Sequence, residues 1–461
     1  MGSEMCIRDS LDKDPITSLI IKMTAPVMLA GLLTTSYGFV DMIFASRLGG
    51  VQVASVAFVS PLFVMLTAVV RGISRGGVSI IAKQIGQEKR EEAAAYATQL
   101  RLLIIAVALF FSVSGVLFAS PLLRLLQLSG DLYDQSLIYT RIMCFSLPAN
   151  AIVALYTTLF TSQGKMEIST QISLLSLVSN VIMNTVAIYA LNLGIDGLAY
   201  ATLVTKFIEA TFIVWHYHRG NHDFTIGWRI SSAYKIRDVN VHLLKVGLPL
   251  SFSQASTHFG FLLINVLIAP FGYEVVAAFA IGNRINSLMF SPTRMIGQGV
   301  VPLIAHNWGA GVMGRVRQTV KISLQYSLIC GVIGAIIIYF IKFPLGDFLT
   351  NGDGTIYRHV INYSGLVGWT VIPWSVFQML QSIFESFQKT TFTVWINVFR
   401  LWGVRIPGVL LASTFLPALA EYGIWYTIFV SNFLTLIFAL IFFARQMPAV
   451  LKVNSVMHPA V

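Results

Sequence analysis

The chain has 461 residues, of which 56% are apolar and only 11% are charged. Because soluble globular proteins carry about 25% charged residues, this composition excludes a soluble enzyme and indicates an all-α polytopic membrane protein. The formal net charge of +11 indicates basic cytoplasmic loops, since in so apolar a chain the positive-inside rule explains the excess of lysine and arginine better than nucleic-acid binding does.

The N-terminal segment, residues 1–14, is polar and lacks the short apolar core of a signal peptide. Residues 1–10 read poorly as a lead into a membrane helix, and we interpret them as a cloning or assembly scar. The three cysteines, Cys6, Cys144 and Cys330, lie far apart and show neither metal-ligand spacing nor a disulfide framework.

Twelve apolar stretches follow, each close to the length that an α-helix needs to cross a bilayer. Prolines inside several of them indicate bends, because a membrane helix tolerates proline where its neighbours satisfy the freed carbonyl. Basic loop residues concentrate on one side, which predicts a multi-pass protein of the inner or plasma membrane with both termini in the cytoplasm. The predicted spans are 20–46, 53–78, 97–119, 136–159, 170–191, 197–216, 246–270, 276–304, 320–342, 358–384, 392–415 and 422–444.

An internal repeat divides these spans six and six around a polar interruption near Tyr217 to His242. Lys22 and Pro26 open the first half as Lys245 and Pro249 open the second, at an offset of 223 in the numbering (245 minus 22). The same offset pairs Gly49 with Gly272, Ala54 with Ala277, Arg71 with Arg294, Gly76 with Gly299, Ala82 with Ala305, and Gly86 with Gly309.

The repeat predicts one six-helix bundle at 15–216, a cytoplasmic linker at 217–245 and a second bundle at 246–446. Six spans per half is an even number, so the halves share an orientation and are related by a pseudo-twofold axis along the membrane normal. Such a parallel repeat suits a transporter that holds its substrate between two bundles. The alternative is a gene duplication without that functional meaning.

Several stretches stand out along the repeat. The first span contains Tyr37-Gly-Phe-Val-Asp41 and is followed by Arg47-Leu-Gly-Gly50. The others are Ser60-Pro61, Gly72-Ile-Ser-Arg-Gly76, Gly194-Ile-Asp-Gly197, and Arg294 to Gly309. In order and spacing they resemble the multidrug and toxic compound extrusion (MATE) family over essentially the whole chain after residue 15. The resemblance implies twelve helices in two lobes and a secondary active antiporter, which exports organic, often cationic, drugs by alternating access as protons or sodium flow inward.

Asp41 and Glu209 are the only acidic residues that fall clearly inside predicted spans. A carboxylate in the hydrocarbon region is costly and is therefore a functional candidate. Counting about 1.5 Å per helical residue places three polar residues at the depth of Asp41, so we expect one polar cluster. These residues are Asn180, Asn184 and Thr202. The resemblance assigns the site that couples ion flow to transport to this place, with Tyr37 one turn before Asp41.

Removal from water disfavours the charged form of a carboxyl, so Asp41 in an apolar pocket can hold a proton near neutral pH. A cationic substrate favours the ionised form, and proton and substrate would then compete, as exchange requires. Pro26 leaves a backbone carbonyl without its donor and is predicted to act as a hinge. The alternative is that Asp41 only holds the bundle together through hydrogen bonds to Asn180 and Tyr37.

The identity of the coupling ion is predicted from missing charge. By the resemblance, some MATE proteins have a second acidic residue where this chain has Asn184. Others have acidic residues inside the seventh and tenth spans, and this chain has no acidic residue in those spans. Since more negative charge favours a Na⁺ site, Asp41 on its own favours protons and a DinF-like branch, although asparagine carbonyls can still bind Na⁺. A Na⁺-coupled exporter and a flippase for lipid-linked precursors remain alternatives; a flippase would suit a more basic cavity than the second half offers.

Glu209 and Lys206, three residues apart, are predicted to neutralise one another. With Asp41, Asn180 and Met183 they are candidates to line a substrate cavity. A further set of basic residues lies mostly near span ends or next to Gly and Pro and is predicted to snorkel or to bind carbonyls, with a phosphate or lipid-headgroup site among them as the alternative. These residues are Arg71, Arg75, Arg294, Arg400 and Arg405. The histidines near the linker lack a fourth ligand for zinc, namely His216, His218 and His222.

The predicted partners are a small organic substrate and the lipid bilayer. We expect no nucleic acid, no metal and no cofactor apart from the transported ion, and we expect a monomer. A membrane-embedded enzyme is disfavoured because the spans contain no metal motif, nucleophile constellation or phosphate-binding glycine loop.

Overall fold

The computed structural model describes residues 14–48, 50–125, 130–220, 224, 226–227, 235–350, 354–415 and 420–453. Cys6, Gly49, His222 and the interpretation of residues 1–10 lie outside this set. All twelve predicted spans are helical, and the described residues contain no strand. The reason is that a chain in hydrocarbon must satisfy its backbone N–H and C=O groups within the segment, which an α-helix does.

Seven α-helices form the first half of the chain. The fourth predicted span is a bent pair with an angle of 41° at Ser146. Pro148, the second residue of the next helix, cannot donate a backbone hydrogen bond there. The fifth ends in a π-helical segment, Val186–Ala190. The helices are α1 (Ile16–Leu48), α2 (Gly50–Gly86), α3 (Arg90–Leu125), α4 (Gly130–Phe145), α5 (Leu147–Ser162), α6 (Glu167–Thr185) and α7 (Ile195–Arg219).

Eight α-helices form the second half. Short 3₁₀ segments, Ala269–Phe271 and Gly368–Thr370, join neighbouring helices, and a π-helical segment, Phe399–Arg405, interrupts the eleventh predicted span. The helices are α8 (Ile236–Ile268), α9 (Tyr273–Gly309), α10 (Met313–Thr350), α11 (Gly354–Val367), α12 (Val371–Ser386), α13 (Thr390–Val398), α14 (Ile406–Phe415) and α15 (Ala420–Val453).

Length and composition support the membrane assignment. Within the described residues, eight helical segments are long and apolar enough to cross a membrane, and the bent pair α4–α5 makes a ninth. The remaining three predicted spans, 246–270, 276–304 and 358–384, are filled by α8, by α9 and by α11 with α12.

The predicted repeat is confirmed in the helix bounds. Helices α2 and α9 have 37 residues each, and their first residues are separated by the offset of the repeat (273 minus 50). The turns that follow them match as well, because Glu88 and Gly311 have positive φ angles of 60° and 76°. In both turns the next residue donates its backbone N–H to the carbonyl five residues earlier. These hydrogen bonds run from Lys89 to Gln84 and from Val312 to Asn307, each at 3.0 Å.

The turn after α9 gives a prediction about stability. Replacing Gly311 by alanine is expected to lower the free energy of unfolding by about 1 kcal/mol, because a Cβ at positive φ meets the preceding backbone. Thermal unfolding of the purified protein in a mild detergent measures the change. Gly314→Ala is the matched control, since Gly314 lies in α10 with open space around it and alanine favours a helix. Equal destabilisation by both changes would contradict the assignment of strain to Gly311.

The chain forms two compact units. One contains Ile21–Phe252, and the other contains Pro15–Ile20 with the described residues from Ser253 onward. Each unit has its own apolar core. In the first unit the larger core surrounds Ile73, Leu100 and Leu155, and in the second unit it surrounds Trp425.

Candidate functional site

Helices α1 and α6 bring the predicted acid and amides together. Asp41 lies on α1, about two turns before its end at Leu48, while Asn180 and Asn184 lie one turn apart on a single face of α6. Both side-chain amides donate to Asp41 Oδ1 at 3.0 Å, and Asn184 also donates to the Asn180 carbonyl at 3.1 Å. The arrangement therefore depends on the one-turn spacing of the asparagines in α6.

The two oxygens of the Asp41 carboxyl differ in their surroundings. Both hydrogen bonds from described residues end on Oδ1. Asn180 and Asn184 are fully buried, whereas the Asp41 side chain is partly accessible. Oδ2 therefore receives no donor from the described part of the chain, and it is the oxygen on which a proton or a cation can bind without displacing an asparagine.

Tyr37 supplies a further oxygen near Asp41, and Thr202 lies beside Tyr37. Tyr37 lies one turn before Asp41 on α1, and its hydroxyl lies beside the Thr202 side chain on α7. Within the described ranges, these two hydroxyls and the Asn184 side-chain carbonyl make no regular hydrogen bond, although all three oxygens are buried. Because a buried polar atom without a partner costs about 1–3 kcal/mol, these oxygens can stabilise a further polar group or ion that approaches them.

Lys206 and Glu209 form the ion pair that their spacing predicts. The Lys206 ammonium is 2.7 Å from Glu209 Oε1, and the Ser176 hydroxyl donates to the same oxygen at 2.5 Å. Lys206 also lies 5.0 Å from the centroid of the Tyr37 ring, and its charge acts on Asp41. The pair therefore adjoins the Asp41 cluster. Because Lys206 neutralises Glu209, the net charge of the combined site is set by Asp41.

An apolar layer covers one side of the cluster. Ala45, Ile188 and Leu198 are buried members of a single apolar core, and each lies one helical turn from a polar residue of the site, namely Asp41, Asn184 and Thr202 respectively. The same helices thus carry the polar site and an adjoining dry layer. Such a layer keeps water from that end of the cluster and strengthens the electrostatic interactions within it.

The other predicted residues lie further away. Met183 is half-buried and points roughly a quarter turn away from the face that Asn180 and Asn184 share. Pro26 lies within α1, which continues through it without a break, about four turns from Asp41. Its own carbonyl accepts a hydrogen bond of 2.6 Å from the Thr170 hydroxyl on α6.

The second unit corrects two predictions. The sequence predicts that Arg400 and Arg405 lie near span ends and snorkel, but the two residues are only 2% and 3% exposed. They lie on the π-helical segment, which packs against α14 and α15. Acidic residues beyond Asp41 and Glu209 are also buried, since Glu385 and Glu421 are 3% and 7% exposed. Glu421 pairs with His359 on α11. These carboxylates lie at helix ends in the sequence, where an apolar-window count does not register them.

No cluster of three or more metal-binding side chains occurs in the part of the chain that is described. His216 and His218 lie in the last turn of α7.

Comparison with known proteins identifies the class. The MatE family matches residues 26–186 and again residues 249–411, and the two matches start in the register of the repeat (249 minus 26). The molecule is therefore a duplicated, multi-pass membrane transporter and not an enzyme. The chain belongs to the MatE family, the multidrug and toxic compound extrusion transporters.

Individual relatives are distant but match along most of their length. The chain is 23% identical to the probable multidrug resistance protein YoeA of Bacillus subtilis, covering 87% of each protein. It is 23% identical to the probable multidrug resistance protein NorM of Halalkalibacterium halodurans, covering 88% of this chain and 89% of the relative. A crystal structure of a MATE protein in the bent conformation matches with a TM-score of 0.91 at 20% identity, over 96% of this chain and 98% of that one. That likeness shows a shared fold, which is the all-α fold of twelve transmembrane helices.

Proposed function

We propose that this protein exports organic cations in exchange for protons, and that Asp41 binds the two in turn. The observation that carries the proposal is the asymmetry of the Asp41 carboxyl. Two neutral amides donate hydrogen bonds to Oδ1, while none of the described residues donates one to Oδ2. Glu209, a buried carboxylate near this cluster, is already paired with Lys206.

Proton and cation binding exclude one another at this site on grounds of charge. With Lys206 and Glu209 paired, the cluster is neutral when Asp41 holds a proton and carries one negative charge when Asp41 is ionised. A cation is attracted only to the ionised form, because low local polarity strengthens the interaction between unlike charges. Binding of the cation at one membrane face then requires that the proton leaves, and the exchange at the other face is the reverse.

Alternating access needs a moving element, and α1 is the proposed one. Pro26 has no N–H to donate within α1, so the helix can bend there at lower cost than elsewhere. The Thr170 hydroxyl donates to the Pro26 carbonyl and ties this point of α1 to α6, the helix that carries both asparagines. We propose that bending at Pro26 accompanies the change in charge at Asp41, with both termini in the cytoplasm and the monomer as the transporting form.

Na⁺ coupling is the second candidate, and a specific observation favours it. The buried oxygens without regular partners belong to Tyr37, Thr202 and Asn184, and oxygen atoms are the ligands that a hard cation such as Na⁺ prefers. Against Na⁺ stands the charge, since only Asp41 contributes a net negative charge to the site. Protons need only one oxygen and therefore remain the first choice.

Reconstituted vesicles distinguish these ions. The purified full chain is placed in liposomes whose membrane potential is held at zero with potassium and valinomycin, and ethidium uptake is followed by fluorescence with DNA inside. Ethidium is permanently charged, so pH trapping of a weak base cannot imitate transport. We expect accumulation when the lumen is acidic and none when only Na⁺ is concentrated in the lumen. Accumulation driven by Na⁺ alone would identify Na⁺ as the coupling ion in place of protons. No accumulation under either gradient would favour the flippase.

A further inference from the structure

The second unit contains two buried arginines on one π-helical segment. Arg400 and Arg405 lie within Phe399–Arg405, between α13 and α14. In a regular α-helix, residues five apart point about 140° away from one another. A π-helix instead bonds residue i to residue i+5, which brings such residues to nearly the same face. The charge of Arg405 accordingly acts on Arg400.

Arg405 is held by neutral groups. Its Nε donates to the Ser431 hydroxyl at 2.9 Å, and one terminal nitrogen donates to the Asn432 side-chain carbonyl at 2.5 Å. The Asn432 amide donates in turn to the Thr370 hydroxyl at 2.9 Å. These contacts fix the position of the guanidinium but leave its charge uncompensated.

Arg400 is less satisfied still. Its Nε and Nη2 atoms are buried and have no hydrogen-bond acceptor among the described residues. The guanidinium carbon lies 4.3 Å from the centroid of the Trp374 ring, which is a cation–π contact. No carboxylate of the described residues forms a salt bridge with Arg400 or Arg405. Two guanidinium groups, which keep their protons in proteins, are therefore buried together without an anion.

The fold itself does not require this arrangement. In the register of the repeat, Arg400 and Arg405 correspond to Leu177 and Ile182 on α6 (offset 223). The first unit builds the matching helix with apolar residues there. The cost of burying two unpaired charges is several kcal/mol per ion, so a structural role alone does not explain them.

We propose that Arg400 and Arg405 form a binding site for a phosphate group, carried either by an anionic substrate or by a lipid headgroup. The guanidinium fork matches the oxygens of a phosphate in pairs, and the two nitrogens of Arg400 without acceptors are the donors that such a group would satisfy. The Trp374 ring lies against the Arg400 guanidinium, and Ser431 with Asn432 orients Arg405. This site is independent of proton exchange at Asp41, and its existence does not rest on that proposal.

Thermal unfolding with defined anions tests the site. The full-length protein is purified in a non-ionic detergent, and its unfolding midpoint is measured with inorganic pyrophosphate and with chloride at equal ionic strength. In a second arm it is placed in nanodiscs of phosphatidylcholine with or without phosphatidylglycerol. We expect the wild type to be stabilised by ~3 °C or more in one of the two arms. Stabilisation by pyrophosphate indicates that the ligand is a soluble phosphate compound. Stabilisation by phosphatidylglycerol indicates that it is a lipid headgroup.

Variants separate binding from a packing role. Arg400→Met is expected to raise the midpoint without anion, because it removes a buried unpaired charge, and to lose the anion response. Arg400→Lys keeps the charge without the fork and is expected to retain only a small part of the response. Arg317→Gln removes an exposed arginine of α10 and is expected to respond as the wild type does. No response of the wild type in either arm, or an equal response in Arg400→Met or Arg400→Lys, would overturn the proposal.

Discussion

Asp41→Asn is expected to reduce gradient-driven ethidium accumulation to the level of vesicles without protein. The asparagine side-chain oxygen can still accept the two amide hydrogen bonds that Asn180 and Asn184 donate, so the cluster keeps its geometry. It can neither take up a proton nor carry a negative charge, however, and the competition between proton and cation is lost. The measurement is the reconstituted uptake assay with an acidic lumen.

Asp131→Asn is the matched control for this variant. It makes the same chemical change at an exposed aspartate in the first turn of α4, and we expect full transport. The unfolding midpoint of Asp41→Asn is expected to equal or exceed that of the wild type, because a buried charge is removed. If a folded Asp41→Asn protein still accumulates ethidium at the wild-type rate, Asp41 is not the residue that couples proton flow to transport.

The Lys206–Glu209 pair gives the second large effect, in stability. Lys206→Met is expected to lower the free energy of unfolding by about 3 kcal/mol, because it leaves the Glu209 carboxylate buried with no cation. The Glu209 side chain is 3% exposed, and the Ser176 hydroxyl, a neutral donor, cannot compensate its charge. The double variant Lys206→Met/Glu209→Leu removes both charges and is expected to recover most of the loss. Thermal and denaturant unfolding in detergent measure each step.

The exposed pair Lys89–Glu92 serves as the control, since it has the same spacing and a distance of 3.1 Å. Lys89→Met is expected to change stability by less than ~0.5 kcal/mol, because water screens surface pairs. The transport assay on the double variant then decides between two roles for the buried pair. Retained transport indicates that Lys206 and Glu209 neutralise one another, while a folded double variant without transport would assign them to substrate binding.

The helical architecture was predictable from sequence because it depends on local properties. Apolar length sets the spans, and the register of the repeat matches the start of α2 at Gly50 to that of α9 at Tyr273. The bend between α4 and α5 was not predicted, although Pro148 lies inside the fourth span. A proline shows where a helix can bend, but the angle depends on the helices that pack around it.

The polar site was predictable in part. The spacing of Asn180 and Asn184 places them on one face, and counting residues places them at the depth of Asp41. The sequence could not show that both amides bind the same carboxyl oxygen, because that depends on side-chain rotamers and on the distance between α1 and α6. This detail separates Oδ1, which is held, from Oδ2, on which the proposed exchange takes place.

The arginines of the second unit show where sequence reasoning fails. Regular α-helical periodicity separates Arg400 from Arg405, and only the π-helical hydrogen bonding of Phe399–Arg405 brings them together. That segment packs against α15, where Ser431 and Asn432 bind Arg405. A window of apolar residues does not distinguish a π-helical segment from an α-helical one, so it gives no sign of this pairing.

The most direct test of exchange at Asp41 is proton release on binding. Ethidium is titrated into the purified protein in weakly buffered detergent solution at mildly acidic pH, and the released protons are counted with a pH indicator. We expect the wild type to release up to about one proton per bound cation, because binding requires ionised Asp41, and we expect Asp41→Asn to release none. Cation binding to the wild type without proton release, or equal release from Asp41→Asn, would contradict the account.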